Sequence, residues 1–252
     1  MISRDEWENA TSCRFWLVFE ISENDELSDF EIMHLVLLSI WLVKPNRVQA
    51  HLRFKIGKNE TEGEIGRSRI LDRMEWIADE ENDEFSEDDM RAASNHFNRF
   101  FEIYKSRGRL RNAMVLTLNG CWSYYWQAAL ISHAAAVEAI LTYSKGRITH
   151  RLATAYACLI EKDQSAREKA YNHFRDLYEI RSDVIHGRAY LLENHKSLPA
   201  LSRFQKMLRV LWSQVLRDSA ITLELEKADE GREVFFCGIA NDFEPPVKDG
   251  RR

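Results

Sequence analysis

From about Glu87 to Lys227 the apolar residues recur at spacings of three, four and seven, segment after segment, and this period constrains the chain more than any other feature. Side chains at those intervals share one face of an α-helix, so the stretch has to be a set of amphipathic helices packed on one another. The pattern places helices over Glu87 to Lys105, Leu110 to Leu118, Trp122 to Tyr143, Ile148 to Ile160, Ser165 to Ile185 and Leu198 to Lys227. In the last of these Leu201, Phe204, Leu208, Leu211 and Val215 fall on one face. Four prolines and ten glycines in 252 residues leave few interruptions, in keeping with a mainly α fold.

Upstream the period changes. In "VQAHLRFKI" Val48, Ala50, Leu52, Phe54 and Ile56 alternate with polar residues, as a half-buried strand demands, and "RFWLVFEI" (Arg14 to Ile21) reads as a second strand. Between them a helix starts at an N-cap, Ser28, and stops at Pro45. Its apolar run "FEIMHLVLLSIWLV" is too short to span a bilayer and carries Glu31 and His34, so it reads as a core helix. "GKNETEGEIGRS" reads as a loop, "EVFFCGIA" (Glu233 to Ala240) as a returning strand, and Pro245, Pro246 and "KDGRR" as a frayed end. The expected organisation is a small α/β region over residues 1–86, a helical bundle over 87–230, and a strand and tail over 231–252.

Hydrophobic residues make up 45% and charged residues 30%, an ordinary globular balance. The scattered Cys13, Cys121, Cys158 and Cys237 form no CxxC pair and read as reduced core thiols, and "MISRDEWENATSC" lacks the apolar centre of a secretory leader. A soluble cytoplasmic protein is the expectation. The net charge of −5 is unevenly spread: Lys145 to Arg217 holds fourteen Lys/Arg against seven Asp/Glu, leaving −12 for the rest, much of it in "DEENDEFSEDD" (Asp79 to Asp89). A basic segment in an acidic chain suits a polyanionic partner, or simply a solvated helical face.

One residue breaks the apolar pattern in an informative way. In "YEIRSDVIHGRA" Arg181 lies four residues after Leu177 and four before Ile185, on the stripe where a leucine belongs. Arginine does not lose its charge, and an unpaired buried guanidinium costs several kcal/mol. It can snorkel, pair with a buried acid, or lie at an interface. A candidate acid exists: Glu138, within the apolar turn of "HAAAVEAILTY". Gly187 suits the left-handed position that ends a helix, which puts His186 at the terminus, where an imidazolium is favoured by the dipole. Five residues of helix separate Arg181 and His186 by about 140°, so they converge only if the helix unwinds at Gly187 or if two copies meet.

"RSDVIHG", with "AAAVEAILTY" and "RITHRLATAYACLI" before it, resembles the R-x4-H signature of HEPN domains, closest to the Apea-like group, over roughly Arg109 to Lys227. The resemblance implies a HEPN-like helical bundle that dimerises and cuts RNA without metal or cofactor, in the manner of a toxin or antiphage effector with an unidentified partner or trigger. Carried onto this chain, His186 would act as general acid or base, Arg181 would hold the scissile phosphate and Glu138 would orient Arg181. Ser182 stands where many active members carry Asn, Asp or His, and Asp183 follows it. Ser182, Asp183, Lys145, Arg147, Arg151, Arg188 and Lys196 are the candidate RNA contacts. A HEPN module without catalysis, acting as a dimerisation or nucleic-acid-binding scaffold or as a sensor, is the alternative.

Other constellations are weaker. The histidines give no HExxH and no paired ligands, and no Walker A, GxSxG or dinucleotide fingerprint is present. His133 is either a second polar group near Glu138 or a core histidine. His150 and Arg151 read as surface groups. The aromatics of "CWSYYWQ" (Trp122, Tyr124, Tyr125, Trp126) read as the start of a helix packed on the N-terminal strands rather than as a stacking platform for bases.

Overall fold

The computed structural model of the chain describes residues 27–44, 53–55, 64–66, 85–106, 108–143, 148–188 and 194–246. The helical period is met by α1 (Asp29–Val43), α2 (Glu87–Lys105), α3 (Arg109–Trp122), α4 (Trp126–Leu141), α5 (Ile148–Ile160), α6 (Gln164–Ile185), α7 (Asn194–Arg217), α8 (Ser219–Glu226) and α9 (Asp229–Ala240). Three lengthwise pairs, α1 with α2, α3 with α4 and α5 with α6, pack on α7, which also meets α8. Leu201, Phe204, Leu208, Leu211 and Val215 of α7 are fully buried, as the spacing predicts, and Ala200, Met207 and Trp212 widen the buried surface around the helix. The other half of the helix carries Arg203, Lys206, Ser213 and Arg217 to the surface, as an amphipathic helix packed along one side of a bundle requires. The Trp212 indole N–H finds an acceptor in Thr117 Oγ1 of α3 at 3.0 Å.

Local chemistry fixes the starts of these helices. Ser28 and Ser86 each form a capping box, with Glu31 and Asp89 three residues on. α3 begins at Gly108, which offers no side-chain cap. Glu226, at the end of α8, supplies one instead: its carboxylate accepts from the Arg109 and Leu110 amides at 2.8 and 3.0 Å. A Cβ on residue 108 would lie 2.0 Å from Glu226 Oε2, so glycine is the residue that lets the carboxylate approach. The opposite end of α4 is closed by two arginines. Arg232, fully buried, donates from Nη2 to the Ile140 carbonyl, and Arg109 Nη1 donates to Thr142 O at 3.3 Å. Burial lowers the pKa of Arg232 to about 10.

Four expectations are corrected. The expected strand at Glu233 to Ala240 is helix α9. Its buried positions, Arg232 and Phe236 with Ile239 and Ala240 packed beside them, follow the helical interval, while Val234 is 74% exposed. The short apolar run misleads because its neighbours Asp229 and Glu230 form an acidic first turn that favours a helix. The expected helix to Lys227 breaks at Asp218, whose side chain caps α8 at the Ala220 amide, 2.8 Å away. The helix expected from Trp122 begins at Trp126. Trp122 packs against His34 of α1, with ring centroids 4.3 Å apart, and Tyr124 and Tyr125 stay exposed. Cys237 is exposed, unlike Cys121 and Cys158, which are buried and free.

Of the upstream region, Arg53–Lys55 pairs antiparallel with Glu64–Gly66, so part of the expected loop is a strand, whereas the segment Arg14 to Ile21 lies outside the described residues. α1 does not stand apart from the bundle. Leu35, Leu38 and Trp41 belong to the same buried cluster as Phe100, Leu130 and Leu211, so the expected boundary at residue 87 does not divide two cores. Among the described residues no helix is long and apolar enough to cross a membrane.

His133 sits inside this core. Its ring is fully buried, lies parallel to Trp41, and meets Gln205 Nε2 through Nε2 at 3.1 Å. Gly120 makes room for it: a Cβ there would come within 2.4 Å of the imidazole. Burial, with the nearby Arg209 charge, pushes the His133 pKa down to about 3.

Two outcomes follow. Glu226→Ala should lose about 1 kcal/mol in urea unfolding through the lost cap, while Glu224→Ala on the same helix should change stability by less than about 0.5 kcal/mol. A buried neutral histidine stabilises the fold above its unfolded pKa and withdraws that stability as pH falls toward the folded value. The loss between pH 7.5 and 5.0 should therefore shrink in His133→Gln by about 2 kcal/mol, at 1.4 kcal/mol per pH unit below the unfolded pKa.

Candidate functional site

The apolar stripe of α6 explains where its polar residues point. Phe174, Leu177 and Val184 are buried against the bundle, which turns Arg181 toward α4. There Arg181 Nη2 donates to Glu138 Oε1 at 2.8 Å, so the acid that the sequence offers is the one the arginine takes. The pair uses one nitrogen and one oxygen, and the same Oε1 also accepts from the Tyr178 hydroxyl. Arg181 lies beside the Tyr178 ring, its guanidinium carbon 5.1 Å from the centroid. The two charged side chains are 28% and 30% exposed, so Arg181 neither snorkels free nor is sealed in the core. Its Nε is buried without a hydrogen-bond partner. Burial first, and then the hydrogen bond to Glu138, raise the Tyr178 pKa above the ordinary phenol value, so the hydroxyl stays protonated.

The end of α6 is built as the sequence predicts. Gly187 takes φ of 72°. Gly187 N–H donates to Val184 O at 3.1 Å and Arg188 N–H to Asp183 O at 2.7 Å, the paired bonds of a Schellman turn. The arrangement leaves His186 exposed at the cap. Its own amide still bonds to Ser182 O at 3.0 Å, so the helix runs regularly up to the histidine and does not unwind before it. Arg181 and His186 therefore keep their separation of about 140°. Within one copy the structure does not bring them onto one face.

The other expected contacts are distributed as follows. Ser182 is half-buried on α6, and Asp183 pairs with Arg188 through Oδ1 and Nε at 3.0 Å, both exposed. Arg151 lies on α5, 5.9 Å from the centroid of the Tyr143 ring. Lys145 and Arg147 lie outside the described residues, as does the Lys196 side chain. His133 belongs to the core described above and not to this site. Among the described residues no group of three or more His, Cys, Asp or Glu side chains could hold a metal ion.

Sequence reasoning missed a cleft of about 570 Å³ on the outward side of α6. Tyr171, Arg175, Tyr178, Glu179 and Ser182 form its floor, Thr149 and His150 of the first turn of α5 one wall, and Pro245 and Pro246 the other. The signal was present, since these α6 positions recur at helical spacing, but aromatic and polar residues interleave there and do not read as an apolar stripe. His150 Nδ1 meets the Tyr171 hydroxyl at 2.8 Å, and Arg175 lies over the Tyr171 ring at 5.6 Å from the centroid. The tail is not frayed at this point: Phe243 is 6% exposed and packs near Tyr171, which fixes the two prolines at the cleft.

Comparison of the chain with protein-family models, with curated proteins and with solved structures returns no match.

The Glu138–Arg181 pair joins two helices across the bundle. A double-mutant cycle with Glu138→Gln and Arg181→Gln should give a coupling energy of about 1 kcal/mol in chemical unfolding, and Tyr178→Phe should reduce that coupling by altering the shared oxygen.

Proposed function

We propose that the chain is a metal-independent endoribonuclease of HEPN type, with His186 and Arg181 as its working groups. The observation that carries the reading is the polar set on α4 and α6: Arg181 held by Glu138 and flanked by Tyr178, one turn before an imidazole presented at a glycine-closed helix end. A guanidinium of fixed orientation suits a phosphate that gains charge during reaction, and histidine titrates in the range where it can take or give a proton. In the proposed reaction the 2′-oxygen attacks phosphorus and the bond from phosphorus to the 5′-oxygen breaks. One histidine accepts the 2′-hydroxyl proton while a second, from another copy, donates to the 5′-oxygen. The products are a 2′,3′-cyclic phosphate and a 5′-hydroxyl.

The homodimer enters because the angular separation on α6 keeps Arg181 and His186 of one copy apart. The reading takes the protein as cytoplasmic, acting on RNA as a toxin or an antiphage effector, with a small α/β region over residues 1–86 whose helix α1 packs into the bundle core. The basic surplus from Lys145 to Arg217 supports a polyanionic substrate.

A second reading rests on a specific feature. Glu138 Oε1 takes both the Tyr178 hydroxyl and Arg181 Nη2, a tie that serves helix packing alone. On that reading the bundle is a non-catalytic dimerisation or nucleic-acid-binding module.

The two readings separate in one assay. Labelled single-stranded RNA incubated with purified protein in EDTA should be cut to fragments ending in 2′,3′-cyclic phosphate. His186→Ala should lower the rate at least about a hundredfold, the scale of general acid–base catalysis. RNA that survives intact, or is cut equally by His186→Ala, removes the enzyme and leaves the module.

A further inference from the structure

The cleft on α6 and the exposed histidine lie on one side of the same helix. Ser182 is the last floor residue of the cleft, and His186 follows it by four residues, a rotation of about 40° and one turn along the axis. Glu179 in mid-cleft lies two turns from His186, about 10 Å at 1.5 Å per residue. Arg181, by contrast, faces α4. A ligand lying in the cleft therefore extends toward the histidine of the same copy and away from the arginine of that copy.

The chemistry of the cleft narrows what that ligand can be. Its volume of about 570 Å³ suits a ligand of mononucleotide size. His150 offers an exposed imidazole ring and Pro245 and Pro246 offer apolar surface, while the Tyr171 and Tyr178 rings lie buried beneath. A planar ring fits between such surfaces. Mid-cleft, Arg175 and Glu179 stand side by side, with Nη2 and Oε1 3.8 Å apart. An adjacent donor and acceptor is the complement of a base edge that presents an acceptor next to a donor, as adenine, cytosine and guanine do. Arg175 is only 16% exposed and lies over the Tyr171 ring, so its direction is set before any ligand arrives, while Glu179 is 59% exposed and accessible.

We infer that this cleft is a base-binding subsite for one unpaired nucleotide of RNA, docked against His150 and the two prolines, with its edge on Arg175 and Glu179 and its phosphate toward His186. The inference rests on the ribonuclease reading for its substrate class. It adds a requirement for single-stranded RNA, since a base held in a duplex cannot enter the cleft.

The test measures binding apart from cleavage. A fluorescent single-stranded hexaribonucleotide is titrated by anisotropy into His186→Ala protein, the full chain, and into the same background carrying Ser182→Trp, which fills the cleft from its floor. Thr149→Trp fills it from the α5 wall and serves if the first variant is unfolded by circular dichroism. The parent should bind the single strand, and a duplex of the same sequence more weakly. Either tryptophan should weaken single-strand binding about tenfold or more, the order expected for a lost base–aromatic stack. Binding that is unchanged by a folded cleft-filling variant overturns the inference, as does equal affinity for single strand and duplex. The ribonuclease reading fails independently. If single-strand binding depends on the cleft but wild type does not cut RNA, the subsite stands and the enzyme does not. If wild type cuts RNA and both tryptophan variants cut it with unchanged KM, the enzyme stands and the subsite does not.

Discussion

A permanent cation cannot be left alone among hydrocarbon side chains, and the arrangement of α4 and α6 follows from that constraint. Arg181 lies on the packed flank of α6 because it stands four residues after Leu177 and three before Val184, both buried, whereas Ile185, expected on that stripe, is exposed. The position is tolerable only with an acid within reach, and Glu138 supplies it from a stretch of α4 in which Ala134, Val137, Ile140 and Leu141 are fully buried. Each of the two charges needs the other, since removing one partner strands an only partly solvated charge. The pair thereby fixes the register of two helices, and Tyr178 makes it a three-way contact. The same economy recurs where the C-terminal end of α4 meets Arg232 and Arg109: carbonyls that no longer have partners within the helix are closed by guanidinium groups from distant segments.

Much of the bundle was legible because burial imposes the helical period directly. α2, α5 and α6 occupy the expected positions to within a residue, and the buried face of α7 is the one its spacing predicts. The departures share a cause, which is that local pattern does not reveal long-range partners. Glu226 caps α3 from more than a hundred residues away, so nothing around Gly108 announces a helix start. The run "EVFFCGIA" has the composition of a strand, and its helical register emerges only once Phe236 and Arg232 are buried on the α5 side. The break at Asp218 was readable in principle, since aspartate is a frequent cap, but the apolar period on both sides concealed it.

The site divides in the same way. The mutual dependence of Glu138 and Arg181 could be inferred because two misplaced charges in apolar helices call for each other. Gly187 was legible because its left-handed conformation suits glycine. The cleft was not legible, for a physical reason. Its walls come from the first turn of α5, the outer side of α6 and the tail after α9, and their convergence depends on Phe243 packing near Tyr171. No sequence window contains that contact, and a polar–aromatic stripe on one helix reads equally well as solvated surface.

The interval between Arg181 and His186 then acquires a definite meaning. Had it been four residues, the two would be separated by about 40° and would share a face, so that one copy could present both to one phosphate. At five residues the rotation is about 140°, and the hydrogen bond from the His186 amide to Ser182 O keeps the helix wound up to the histidine. Local unwinding at Gly187 comes one residue too late to close that angle. A single copy therefore offers the histidine beyond the end of the cleft, while its arginine is tied to α4 beside Tyr178 and about 140° from that histidine. For the proposed reaction the arginine acting on a given phosphate has to come from a different copy than the histidine whose cleft holds the base. On the proposed reading the five-residue spacing separates base recognition from charge stabilisation, and the site would be completed by the association of two copies.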